Sequence, residues 1–306
     1  MARVVEEYVR ADLSPQFSHR QSVLVQSEVV EVVAVLEAVP EGESRFLAAD
    51  NGPRASDEVT TAAKVGQRLS ASAAPASLLD NVRMSTFEVF SETSLNPPVR
   101  GFLHRPESPS GNFVVLTHGA GGNAQMALLQ ALAAQFAGAG LVVLRCDLPF
   151  RQVRRFGPPR PGDAGRDRLG LRNAVDAVRK FASGKAFLGG QSYGGRQASM
   201  LLAEEKIAEG LLLLSYPLHA PGHPEKPRIE HLPKLHVPAL FVHGTRDPFG
   251  TIDEIENARK LIPAKTELLV IDGAGHDLGF KGKTKDEVLP GRVLAAWKGL
   301  AGLGAQ

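Results

Sequence analysis

The sequence predicts an α/β domain, a mostly parallel central sheet of about seven or eight strands flanked by helices, over residues 84–306. Two observations predict it. From Met84 onward, short apolar runs alternate with segments of helical spacing, the pattern of a sheet covered by helices. The inner runs are almost purely apolar, as strands buried on both faces must be.

Strands are expected at 86–90, 101–104, 113–116, 141–146, 186–188, 211–214, 240–242 and 268–271. Helices are expected between them. Asn123 is placed to cap one running to about residue 137, with Leu129, Leu132 and Phe136 on one face and Gly138 and Gly140 ending it. Others are expected at 168–182, 194–205, 252–261 and 290–300. The last sets Leu294, Trp297 and Leu300 on one stripe, with Pro290 suited to its first turn.

Residues 1–83 read differently, as an N-terminal extension that is poorly ordered or of uncertain authenticity. They are rich in Val, Ala, Ser and Glu and show no clean period of 3.6 or 2. The segment 23–39 fits a strand pair or a buried helix equally well. Little apolar surface is available in such a stretch to offset chain entropy. Met84 would be a natural start for the domain that follows.

Composition excludes several classes. A single cysteine, Cys146, rules out an internal disulfide framework and a multi-cysteine metal site. The first ten residues carry acidic groups and no apolar core, so no secretory signal is read there. No run approaches the ~18 uninterrupted apolar residues of a spanning helix. A soluble, cytoplasmic protein is expected, with no membrane partner, cofactor or metal. Net charge is +2 overall but uneven: residues 1–83 hold 8 Lys/Arg against 12 Asp/Glu, and the remainder holds 27 against 21.

The chemistry concentrates at three strand ends. The strand at 186–188 runs into Gly189-Gly190-Gln191-Ser192-Tyr193-Gly194-Gly195 and then a helix. With 31 glycines in the chain, a bare G-x-S-x-G arises easily by chance, so the strand–turn–helix setting carries the weight. The turn must be tight and strained, leaving no room for side chains at Gly190 and Gly194. It exposes the serine hydroxyl at a helix N-terminus, where developing negative charge is favoured.

A serine hydroxyl needs a neighbouring base to act as nucleophile. After the strand at 240–242 comes His243-Gly244-Thr245-Arg246-Asp247-Pro248, and after that at 268–271 comes Asp272-Gly273-Ala274-Gly275-His276. Ser192, Asp247 and His276 thus follow three strands in the order Ser, acid, His. His276 is expected to be the base and Asp247 to hold its imidazole. Asp272 and Asp277 remain alternatives for the acid. His118, His219, His223, His231, His236 and His243 compete for the base, but none follows the last strand.

The strand at 113–116 leads into Thr117-His118-Gly119-Ala120-Gly121-Gly122-Asn123, a glycine-rich turn that lets main-chain amides approach a substrate. The expected oxyanion donors are the amide of Tyr193 and that of Ala120 or Gly121. A phosphate cradle is disfavoured because no GK[ST] follows.

The blocks THGAGGNA, LRCDLPF, FLGGQSYGGRQASM, LSYPLHAPGHPEKPR and FVHGTRDPFG together resemble one family. It is the α/β-hydrolase branch of dienelactone hydrolase-like proteins, testis-expressed protein thirty and the third subunit of the non-specific-lethal chromatin complex. The resemblance covers about residues 99–276 and leaves 1–83 outside. It implies the α/β-hydrolase fold and carries the family's serine, acid and histidine onto Ser192, Asp247 and His276. The chromatin member acts as a scaffold, yet all three positions are occupied here.

The function expected is cleavage of an ester or thioester of a small acyl substrate through an acyl-enzyme. The alternative is a non-catalytic interaction module on the same fold. Two further segments stay open. Arg151, Arg154, Arg155, Arg160, Arg166, Arg168 and Arg172 form a basic stretch. It fits a solvated surface, an entrance steering anionic acyl substrates, or a nucleic-acid surface. The last is disfavoured because only Phe150 and Phe156 interleave it. The Pro- and His-rich segment 216–236 reads as a substrate-side loop, since no metal-ligand spacing survives its prolines.

Overall fold

The computed structural model describes residues 26–27, 30–31, 87–280 and 288–302. The chain divides into two units, Met1–Pro75 and Ala76–Gln306. In the first, Gln26–Ser27 pairs antiparallel with Val30–Glu31. The expected boundary at 83/84, and the ordering of 1–83 otherwise, lie outside the described residues.

The second unit holds one sheet of eight strands, at the positions read from the sequence. They are β1 (Phe87–Glu92), β2 (Val99–His104), β3 (Phe113–Thr117), β4 (Val142–Cys146), β5 (Ala186–Gln191), β6 (Leu211–Leu214), β7 (Ala239–Gly244) and β8 (Thr266–Ile271). Their order across the sheet is β8-β7-β6-β5-β3-β4-β2-β1. Only β2 runs against the others, pairing antiparallel with both β1 and β4. The chain passes from β3 outward to β4 and then crosses back to β5 on the other side of β3. The loops leaving β3 and β5 therefore diverge at a topological switch point, where open α/β sheets form their crevice.

The helices are α1 (Ala127–Gly138), α2 (Pro149–Val153), α3 (Asp163–Arg179), α4 (Tyr193–Glu204), α5 (Ile252–Arg259) and α6 (Leu289–Ala301). The pleat sends alternate strand residues to opposite faces. Val114, Leu116, Val143, Phe187, Leu212 and Val242 pack with α1 and α6, while Val115, Leu144, Leu188, Leu213 and Phe241 pack with α3, α4 and α5. β3 to β7 are buried along their whole lengths, which accounts for their unbroken apolar runs. Trp297 of α6 is fully buried and meets Phe187 edge-on, with ring centroids 5.1 Å apart. Among the described residues no helix is long and apolar enough to cross a membrane.

Three details correct the sequence reading. Asn123 caps no helix: its side chain accepts from the Gln125 amide in a turn, and α1 starts four residues later, after Met126. α3 starts five residues before the expected 168, because Gly162 in a left-handed conformation (φ 95°) lets the chain turn into it earlier. Helix α2 and a 3₁₀ turn at Leu232–Lys234 were too short to show a period.

Among the histidines, the buried His104 and the half-buried His231 couple stability to pH. His104 accepts a hydrogen bond from Arg145 Nε at 2.9 Å, and burial and that guanidinium lower its pKa to about 4. Burial and the charge of Arg196 lower that of His231 to about 4 as well. Unfolded histidines take up protons near their ordinary value of about 6.5. The unfolded state therefore binds more protons below that pH, and stability present above 6.5 is lost as pH falls toward 4. Urea midpoints are expected to decline between pH 6.5 and 4.5, before ordinary carboxylates titrate. His231→Gln should decline less steeply than the parent chain, and an equal slope would contradict this origin.

Candidate active site

The elbow after β5 is built as its glycines require. Ser192 has φ 50° and ψ −119°, a left-handed backbone that costs a non-glycine residue energy. It is held by a hydrogen bond from its amide to Leu214 O and by the start of α4. A methyl group on Gly194 would stand 2.4 Å from His118 O, a main-chain atom that cannot yield. Only glycine lets α4 start this close to the turn after β3.

Asp247 and His276 lie past the ends of β7 and β8. His276 Nε2 is 2.8 Å from Ser192 Oγ, and its Nδ1 is 2.8 Å and 3.0 Å from the two oxygens of Asp247. A carboxylate only accepts, so Nδ1 carries the proton and Nε2 is left to accept from the serine hydroxyl. The Asp247 side chain is fully buried and also accepts from the Phe249 amide at 2.9 Å. The Phe249 ring lies over the His276 imidazole, with centroids 4.2 Å apart. The three side chains thus form one continuous hydrogen-bonded chain.

The alternatives are engaged elsewhere. Asp272 accepts from Thr245 Oγ1, and Asp277 accepts from the Gly279 amide. His219 faces Glu254 and the Ala220 carbonyl, His223 faces Glu225, and His231 faces Ser199. His243 Nε2 donates to Gly250 O at 2.8 Å and lies 3.8 Å from Asp247, bracing the loop that carries Asp247. Burial pushes its pKa down, which suits a neutral brace.

The turn after β3 sits against the elbow because Thr117 pairs with Gly190 in the sheet. A methyl group on Gly119 would be 3.3 Å from Ser192 Cβ. The Gly119 carbonyl accepts from the Gly122 amide at 3.0 Å and is 2.8 Å from His118 Nδ1. His118 Nε2 accepts from the Leu148 amide, which places the imidazole proton on Nδ1, toward Gly119. Burial holds His118 below the usual histidine range, consistent with this neutral form. In a trans peptide the N–H points away from the C=O. The Ala120 amide therefore points opposite to the Gly119 carbonyl. Gly121 is exposed, with no atom within 4 Å of where a side chain would stand. Tyr193 is the first residue of α4, so its amide has no helical acceptor.

Several residues of this site escaped the sequence reading. Gln191 Nε2 donates to His276 O at 3.0 Å, tying the histidine loop to the elbow. Asp167 of α3 accepts from Tyr193 Oη at 2.7 Å and from the Phe150 amide at 3.0 Å, and burial raises its pKa. The basic stretch divides: Arg151 is buried, Arg154 pairs with Asp163, and Arg172 pairs with Glu205. Gln191, beside the serine in G-x-S-x-G, was the one position with a local signal.

Comparison with known proteins gives the same architecture. The structure is similar to a dienelactone hydrolase from Anabaena variabilis, at 21% identity over 70% of this chain and 96% of that one, with a TM-score of 0.55. It is similar to an esterase from Pyrococcus furiosus, at 17% identity over 71% and 92%, with a TM-score of 0.56. It also matches an α/β serine hydrolase without a lid from Xanthomonas campestris, at 14% identity over 70% and 94%, with a TM-score of 0.54. A family model described as an alpha/beta hydrolase domain matches residues 110–294. With that match spanning the sheet from the strand before the glycine-rich turn to the last helix, the chain belongs to the α/β-hydrolase domain family.

Proposed function

We propose that the chain is a serine hydrolase that cleaves an ester or thioester of a small acyl substrate through an acyl-enzyme. The observation that carries this reading is the continuous hydrogen-bonded chain from Ser192 Oγ through His276 to Asp247, with 2.8 Å at each of its shortest links. The esterase and dienelactone hydrolase among the similar structures support the same class of reaction.

In this reading Ser192 Oγ attacks the acyl carbonyl as its proton passes to His276 Nε2. Asp247 stabilises the imidazolium and keeps its orientation. The oxygen of the tetrahedral intermediate takes hydrogen bonds from the amides of Tyr193 and Ala120, with the α4 N-terminus adding its dipole. Collapse returns the proton from His276 to the leaving alkoxide or thiolate. Water, deprotonated by the same histidine, then releases the acid. The stacked Phe249 ring favours the imidazolium formed on the way.

A fluorophosphonate probe tests the reading directly. Covalent labelling is expected, and peptide mass spectrometry should place the adduct on Ser192. Folded protein that stays unlabelled would favour a non-catalytic module. A graded panel of p-nitrophenyl esters and acyl thioesters then separates ester from thioester turnover.

A further inference from the structure

The guanidinium of Arg151 makes an arrangement unlike any other cation among the described residues. It is buried, and all five of its N–H donors go to main-chain carbonyls. Nε donates to Gly122 O at 2.8 Å. Nη2 donates to Ala120 O at 2.8 Å and to Gly157 O at 3.0 Å. Nη1 donates to Arg154 O at 3.1 Å and to Arg155 O at 2.8 Å. The group stands 4.9 Å from the centroid of the Phe150 ring. No carboxylate takes part in this set of bonds.

These bonds join two backbone segments of unlike character. One is the turn 119–122, closed by a single internal hydrogen bond from Gly122 N to Gly119 O and holding three glycines in four residues. Such a turn has much conformational freedom to lose. The other is the segment 154–157, which leaves α2 and carries the exposed Phe156. A planar, five-donor fork can meet all five carbonyls at once, whereas an ammonium has three donors and leaves at least two of them unbonded.

We propose that Arg151 is a positioning residue for the oxyanion site, fixing the 119–122 turn so that the Ala120 amide meets the charge developing at Ser192. This rests on the serine-hydrolase reading above. Two physical effects act together. Binding at Ala120 O and Gly122 O removes the freedom of the turn, so the donor is in place before the oxyanion forms. The hydrogen bond at Ala120 O also polarises the peptide unit next to that donor. His118 holds the same turn from the side of Gly119, so the turn is gripped at the carbonyls of Gly119, Ala120 and Gly122, on either side of the exposed Gly121.

Arg151→Lys tests this, with turnover expressed per serine titrated by the fluorophosphonate. Loss of one oxyanion donor lowers kcat by roughly 10²–10³, and a fall of that size is expected here with KM near the wild-type value. The acidic limb of the pH profile should keep its midpoint, because the Ser192–His276–Asp247 chain is untouched. A role confined to folding would reduce the number of titrated sites and leave kcat per site unchanged, which would overturn the proposal. A loss confined to KM would assign Arg151 to substrate binding and overturn it equally.

A measurement on the wild-type chain stands independent of any variant. In protein labelled with ¹⁵N-arginine, the Arg151 Nε–H resonance is expected to resist solvent exchange and to shift when a boronic acid forms a tetrahedral adduct at Ser192. A resonance unmoved by the adduct would sink the coupling. Wild-type protein that fails to react with either reagent would instead defeat the hydrolase reading itself.

Discussion

Ser192→Ala is expected to lower kcat by about 10⁶-fold, with KM and thermal stability close to the parent values. The magnitude follows the behaviour of serine-dependent triads, in which the nucleophile and its base act as one unit. Removing Oγ takes away both the bond-forming atom and the only proton that His276 Nε2 is placed to accept, at 2.8 Å. For the same reason His276→Ala should cost a similar factor, and the double variant should lose little more than either single one. Additive losses would show that the two side chains act in separate steps. A residue of about 10³–10⁴-fold over the uncatalysed reaction should survive, supplied by the oxyanion amides and substrate binding. Steady-state kinetics on an activated p-nitrophenyl ester, corrected for the background rate, measures each of these quantities.

Asp247→Asn carries the second largest expected effect, a fall of about 10⁴-fold in kcat. The buried carboxylate accepts from His276 Nδ1 and from the Phe249 amide, with His243 Nε2 3.8 Å away. An asparagine has one accepting oxygen where the site presents two donors, one of them fixed in the backbone. If the oxygen stays on the Phe249 amide, the carboxamide N–H₂ faces His276 Nδ1. That stabilises the tautomer protonated on Nε2, which cannot accept the serine proton. The fold should survive, since the shape is kept. Asp272→Asn and Asp277→Asn should leave turnover near the parent rate, because Asp272 is engaged by the Thr245 hydroxyl and Asp277 by the Gly279 amide. A slow Asp272 or Asp277 variant beside a fast Asp247 variant would move the acid role.

Much of this could be read along the chain because the information is local. Runs such as Phe113–Thr117 and Leu211–Leu214 announce strands buried on both faces, and all eight strands overlap the ranges expected of them. The glycines of the elbow are partly local, since a β-carbon on Gly195 would stand 2.5 Å from Gly190 O in the same turn, whereas Gly194 is barred by His118 O after β3. Helix boundaries were less legible. Asn123 has the chemistry of a cap, but its side chain was taken by a turn at Gln125, and propensity does not decide between the two.

The positions of the strands along the chain, the glycine-rich turns and the succession Ser, Asp, His were legible in the amino-acid sequence alone, and with them the family. Tertiary structure decided which aspartate faces the histidine and which carbonyls and carboxylates the arginines of the basic stretch meet. Arg151 had looked like one more member of a basic run. Its guanidinium meets carbonyls of a turn that ends 29 residues earlier, at Gly122, while Arg154 and Arg172 pair with the carboxylates of Asp163 and Glu205. Hydrophobic periodicity reports which face of an element is covered. It carries no record of which carbonyl or carboxylate will stand opposite a given polar side chain, because that partner is chosen by packing between segments that are remote in sequence.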